Sequence, residues 1–137
     1  MKLRVIVGSL FLVVLVGCGG GSSEHFYITT PNGLSFSIVS ADIAYHDSIY
    51  PRKSHLYAIQ VRPGYEYTVY LDTTVGDSDL YLYYDYTLSA QSLLGYSELS
   101  DTVTDSVTFY SDFIGTIYIE VYGVIDSSYL ISMTESI

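Results

Sequence analysis

The chain has 137 residues, with 15 acidic side chains against 5 basic ones and a formal net charge of −10. That length suffices for one domain with a modest core, and that charge excludes nucleic acid, whose phosphates need a basic footprint. Sixteen tyrosines, no tryptophan and a single cysteine are the compositional anomalies.

Met1-Lys2-Leu3-Arg4 is a short basic segment, and Val5 to Val16 is almost wholly apolar. About a dozen apolar residues suit a signal peptide, whereas a membrane span needs roughly 20. The run ends in Leu15-Val16-Gly17-Cys18, which resembles the lipobox of bacterial lipoprotein signal peptides. The resemblance implies a signal peptide over residues 1–17, diacylglyceryl transfer to the Cys18 thiol, cleavage before it, and acylation of the new amino terminus. The lipid bilayer is then the first partner, and the cell envelope the location. Gly19 after the cysteine, rather than Asp, implies the outer membrane if the cell is Gram-negative. Residues 18–25 form a tether, with Gly19-Gly20-Gly21-Ser22-Ser23 of flexible linker composition. Cleavage leaves Arg52, Lys53 and Arg62 against fifteen acidic residues, a formal charge of −12, which also disfavours anionic head groups. With Cys18 lipidated, no disulfide can form.

Downstream of the tether, Phe26-Tyr27-Ile28-Thr29 reads as a short strand stopped by Pro31-Asn32-Gly33. Leu34 to Ile38 alternates apolar and polar, as a half-buried strand does. Ala41 to Ser54 reads as a loop with a short strand near Ile43–Tyr45. Tyr57 to Val61 and Tyr65 to Asp72, joined by Arg62-Pro63-Gly64, read as a hairpin. Tyr65, Tyr67, Val69 and Leu71 share one face of the second run. Leu80 to Tyr86 is the next strand, with Leu80 and Leu82 inward. Thr87 to Asp105 reads chiefly as a loop with a helical turn around Ala90–Leu94. Ser106 to Ser111, Gly115 to Tyr122 and Ser128 to Met133 complete the set, with Ile117, Ile119 and Val121 on one face. The expected fold is all-β: a single antiparallel, jelly-roll-like β-sandwich of seven or eight strands over residues 26–137.

Several of these pieces, taken in order, resemble the bacterial pre-peptidase C-terminal domain over residues 54–134. They are His55 to Val61 followed by Pro63-Gly64, the strand Tyr67 to Leu71, and Asp77-Ser78-Asp79-Leu80-Tyr81-Leu82. Gly115-Thr116-Ile117-Tyr118-Ile119-Glu120-Val121-Tyr122-Gly123 and Ser128-Tyr129-Leu130-Ile131 follow. The resemblance implies a small β-sandwich of the kind appended to secreted proteases, here behind a lipid anchor instead of an enzyme. The function expected is non-catalytic: a membrane-anchored module that binds a protein or extracellular polymer. The competing expectation is a structural or accessory subunit of an envelope complex or secreted protease, without a ligand of its own.

Asp77 and Asp79, at alternate positions in an acidic turn, offer carboxylate oxygens to one point. Calcium, the one cofactor to which the sequence points, needs six to eight hard oxygen ligands. Asp72, Asp85 or the acidic residues of 98–105 are candidates to complete its shell. A polar turn whose Asp side chains cap local N–H groups is the alternative. Tyr70, Tyr81, Tyr83, Tyr110, Tyr118 and Tyr122 lie opposite the core residues of their strands, and together would form an exposed aromatic patch for a ligand. Tyr57 and Tyr129 are the tyrosines expected in the core. His25, His46 and His55 show no paired spacing, Asp47 merely adjoins His46, and Gly95-Tyr96-Ser97-Glu98-Leu99 lacks the second glycine of a nucleophile elbow. No enzymatic activity is expected; a hydrolase would need a serine, a histidine and an aspartate gathered in a cleft.

Overall fold

The computed structural model describes residues 12–13, 26–41 and 43–137. The predicted signal peptide, apart from Leu12–Val13, lies outside these residues, as do Cys18 and the tether with His25. Eleven strands are described: β1 (Leu12–Val13), β2 (Tyr27–Thr29), β3 (Ser35–Ile38), β4 (Tyr45–Ile49), β5 (Ser54–Val61), β6 (Tyr65–Val75), β7 (Ser78–Tyr83), β8 (Leu93–Ser97), β9 (Asp105–Ser111), β10 (Gly115–Gly123) and β11 (Ser127–Ser136). They form a sandwich of a seven-stranded sheet, ordered β1-β2-β3-β5-β10-β7-β8, and a four-stranded sheet, ordered β4-β11-β6-β9. All pairings are antiparallel except β3 with β5, which is parallel. Strand β1 belongs to the expected leader, so cleavage before Cys18 would leave β2 as the edge.

Alternation sets the core. Tyr67, Val69 and Leu71 of β6 are buried with Tyr129, Ile131 and Met133 of β11 on one side. Facing them are Tyr57, Ile59 and Val61 of β5, Ile117, Ile119 and Val121 of β10, and Leu80 and Leu82 of β7. Each of these strands sends every second side chain inward, as its sequence period of two requires.

Three expectations are corrected. Tyr57–Val61 and Tyr65–Asp72 do not form a hairpin: β5 pairs with β10 and β3, and β6 with β11 and β9. Arg62-Pro63-Gly64 instead carries the chain from one sheet to the other, which is why its two flanking strands face each other across the core. The 41–54 stretch contains a full edge strand, β4, displaced from the expected Ile43–Tyr45 and paired with β11 from Tyr45↔Ile131 to Ile49↔Ser127. The 87–105 stretch holds a 3-10 turn at Ala90–Ser92 and then β8, which pairs with β7. Both missed strands bury almost nothing, Ile49 alone in β4 and no residue in β8, which leaves little apolar alternation to read.

Candidate functional site

The outward faces of the two sheets separate the six tyrosines. Tyr70 and Tyr110 lie on the four-stranded sheet, opposite Ser106 and Glu66 respectively, so three residue pairs of the β6–β9 ladder intervene between them. Tyr81, Tyr83, Tyr118 and Tyr122 lie on the seven-stranded sheet, which carries a second apolar cluster on its outer side. There Tyr83 and Tyr118 are 8% and 4% exposed, packed with Ile28, Phe36 and Ala58 under Tyr86 and Leu88. The Tyr118 ring meets Phe36 edge-on at 4.9 Å and Tyr86 at 6.1 Å. The expectation of one exposed patch of six is thus corrected. Strands β5, β7 and β10 are covered on both faces for part of their length, as buried strands of a mixed sheet can be.

What remains on that outer face is smaller and more acidic. Tyr81 lies opposite Glu120 on one side and Tyr96 on the other, and Asp79 lies opposite Tyr122. The Tyr81 and Tyr96 rings stack at 6.2 Å with 19° between their planes. Tyr81 donates its hydroxyl to Glu98, Tyr83 donates to Glu120 at 3.2 Å, and Ser54 donates to the other Glu120 oxygen. Burial and the Glu98 bond hold the Tyr81 phenol well above its ordinary value, and burial with the Glu120 charge pushes Tyr83 to about 12. Both are neutral donors at physiological pH. Tyr96, 58% exposed, lies on β8, within a stretch whose sequence pattern marks it as loop. Asp79, Glu98 and Glu120 around Tyr81, Tyr96 and Tyr122 make an acid–aromatic patch, with no lysine or arginine among these six.

Asp79 is pushed up to about 6, first by burial and then by the charges of Asp77, Glu98 and Asp105. Its folded pKa lies above the ordinary value of 3.8, so the folded chain binds more protons between the two. Stability from this carboxyl is therefore lost as pH rises from about 4 to about 6. Urea midpoints of the intact chain in chelator should fall over that range relative to those of Asp79→Asn. A constant difference between the two would refute the assignment.

A second cluster joins residues that the sequence did not connect. Asp47 meets His55 rather than its neighbour His46: His55 Nδ1 lies 3.1 Å from Asp47 Oδ2 and 2.7 Å from the Tyr129 hydroxyl. Tyr129 in turn lies 2.7 Å from the Tyr57 hydroxyl, which donates to Asp47 at 3.5 Å. A carboxylate only accepts, so Nδ1 carries the hydrogen, Tyr129 donates to Tyr57, and the ring of bonds closes. Burial raises both phenols, Tyr57 to about 12. Tyr57 and Tyr129 are buried, as expected of core residues. The cluster borders an open cleft of about 320 Å³ that Ser35, Ser37 and Ser54 also line. The hydrogen bonds there are spent within the cluster, and Ser54 points its proton to Glu120.

No family model matches the sequence, and no curated protein matches it. Solved structures do match the fold. The pre-peptidase C-terminal domain of a collagenase from Bacillus anthracis is similar with a TM-score of 0.54 and 14% identity, covering 71% of this chain and 92% of that one. Aeromonas hydrophila PliG, a periplasmic lysozyme inhibitor of g-type lysozyme, is similar with a TM-score of 0.52 and 13% identity, covering 67% of this chain and 85% of the other. The chain has the fold of a pre-peptidase C-terminal domain, as its ordered motifs implied.

Proposed function

We propose that this chain is a non-catalytic binding module, held at the cell envelope by lipid on Cys18, that binds a protein or extracellular polymer. The observation that carries the reading is the acid–aromatic patch on the outer face of the seven-stranded sheet. Tyr81 and Tyr96 give broad, rigid contact area with polar tips, the residue chemistry of binding hot spots. Asp79, Glu98 and Glu120 beside them, on a chain of such negative charge, favour a basic partner. One neighbour of this fold is an inhibitor of g-type lysozyme, which makes a g-type lysozyme the first protein to try.

The test is calorimetric titration of the purified chain with g-type lysozyme, and sedimentation with insoluble peptidoglycan and collagen as the polymers. Binding to one of them is expected, weakened about 30-fold or more by Tyr96→Ala and by Tyr81→Ala, as loss of a hot spot of about 2 kcal/mol would produce. With lysozyme, affinity should also fall as salt rises. Binding that is indifferent to both substitutions would remove the patch from the reading. Failure to bind any of the three would favour the accessory-subunit alternative.

A further inference from the structure

We propose that the open cleft between β3, β4 and β5 is a binding site for an uncharged saccharide. This goes beyond the acid–aromatic patch, which lies on the outer face of the seven-stranded sheet, whereas the cleft lies on its inner face. The cleft exists because the two sheets differ in width. Strands β2 and β3 turn Ile28 and Phe36, 4% and 0% exposed, to the outer cluster. Alternation then sends Tyr27, Thr29, Ser35 and Ser37 to the inner side, the first three exposed and Ser37 half-buried. The register agrees: Tyr27 lies opposite Ser37, and Ser37 opposite the core residue Tyr57. The inner face of a sandwich is ordinarily its core. Here it is polar and open, because β4, the last strand of the smaller sheet, sits against β5. Tyr57 donates to Asp47, and His55 Nδ1 lies 3.1 Å from the same carboxylate. A shelf of hydroxyls therefore extends past the core, with Asp47 and His55 as its wall.

The groups in the cleft select the ligand class. Ser35, Ser37, Ser54, Asp47 and His55 line its volume of about 320 Å³, with no lysine or arginine among the lining residues. An anion would face the Asp47 carboxylate uncompensated. A cation gains little, since Asp47 already accepts from the Ser48 N–H at 2.7 Å, from Tyr57 and from His55. An apolar ligand would strip water from the serine hydroxyls and return no hydrogen bonds. Neutral groups that both donate and accept, several on one small body, suit the cleft, and the hydroxyls of a sugar ring are such groups. The bonded ring of Asp47, His55, Tyr129 and Tyr57 fixes the imidazole before a ligand arrives, which lowers the cost of ordering. It leaves His55 Nε2 as an acceptor, because Nδ1 carries the hydrogen. Among the described residues neither that nitrogen nor the Ser37 hydroxyl has a hydrogen-bond partner. The Ser35 hydroxyl shares one bond with that of Thr29 at 3.2 Å and keeps capacity for another. Tyr27, near enough to Tyr57 to raise its phenol, is 38% exposed and offers ring area to the C–H face of a sugar. A few net hydrogen bonds in an open cleft give a Kd on the order of 10⁻³ M.

The test is NMR titration of the full-length, isotopically labelled chain in a detergent without a sugar head group. The probes are maltotriose, triacetylchitotriose and, as the charged counterpart, trigalacturonic acid. At least one neutral trisaccharide should shift the amide resonances of Ser35, Ser37, Asp47 and His55 along a saturating curve, and the acidic one should not. Ser37→Ala, which removes a hydroxyl without a partner in the fold, should weaken that binding about fivefold at an unchanged melting temperature. Tyr96→Ala should leave it intact, so the cleft and the patch are separable and either can fail alone. Silence with both neutral trisaccharides would overturn the proposal, and so would shifts centred on Tyr81 and Tyr96. Equal binding of trigalacturonic acid, or affinity indifferent to Ser37→Ala, would overturn it as well.

Discussion

Gly76→Ala is expected to destabilise the chain by about 3–5 kcal/mol and to lower its melting temperature by roughly 10–20 °C. Gly76 has φ +87°, and a Cβ there would lie 2.1 Å from the Asp126 carbonyl oxygen, 2.5 Å from Ser127 Oγ and 2.8 Å from Ser127 Cα. The left-handed conformation alone costs about 1–2 kcal/mol for a residue with a Cβ. The rest comes from the 124–127 backbone, which must retreat and so loosen the bonds that Val124 N and Ser127 make to Asp77, each worth about 1 kcal/mol. Gly64 is the control: its φ is +87° but a Cβ would meet nothing within 4 Å. Gly64→Ala should therefore cost only the backbone strain. Denaturant midpoints for the two variants decide the matter, and equal losses would refute the steric account.

Cys18→Ser is expected to abolish lipid attachment outright. If Leu15-Val16-Gly17-Cys18 directs lipidation, the mature chain begins at Cys18 and carries two or more acyl chains. One chain gives only marginal membrane binding, and a second makes it stable. Serine has no thiol to form the thioether, so both lipid and cleavage at this position should be lost. Mass spectrometry of the amino-terminal peptide is the direct measurement. A wild-type chain beginning at Met1, or one beginning at Cys18 without lipid, would dismiss the anchor. The outcome also bears on β2, which gains a free edge wherever the leader is removed.

Much of the architecture is written in local alternation. Tyr67, Val69 and Leu71, or Ile117, Ile119 and Val121, declare an inward face because a strand inverts its side chains at each residue, and all six are buried. The ordered motifs around Pro63-Gly64, Asp77 to Leu82, Gly115 to Gly123 and Tyr129 carry the likeness of the fold in the sequence itself. Which strands pair is a different matter. Nothing in Arg62-Pro63-Gly64 distinguishes a hairpin from a crossing between sheets, because both need the same sharp turn. The edge strands β4 and β8 carry no legible period because they bury almost nothing, whereas the edge strand β9 buries every second residue and is legible.

The candidate sites divide in the same way. An acidic turn at Asp77 and an excess of tyrosine are properties of sequence, and so is the lipobox at Cys18. That Tyr83 and Tyr118 are roofed over, that Tyr96 stacks on Tyr81, and that Asp47 reaches His55 depend on contacts between residues far apart in the chain. Asp105 is the sharpest case. By sequence it is one more acid at the end of a polar stretch, but the packing of β9 beneath β8 buries it and leaves one oxygen without a donor. Local sequence determined the strands and the negative charge. The folded arrangement decided which charges were sealed inside, because burial is a property of the whole sandwich and not of any one strand.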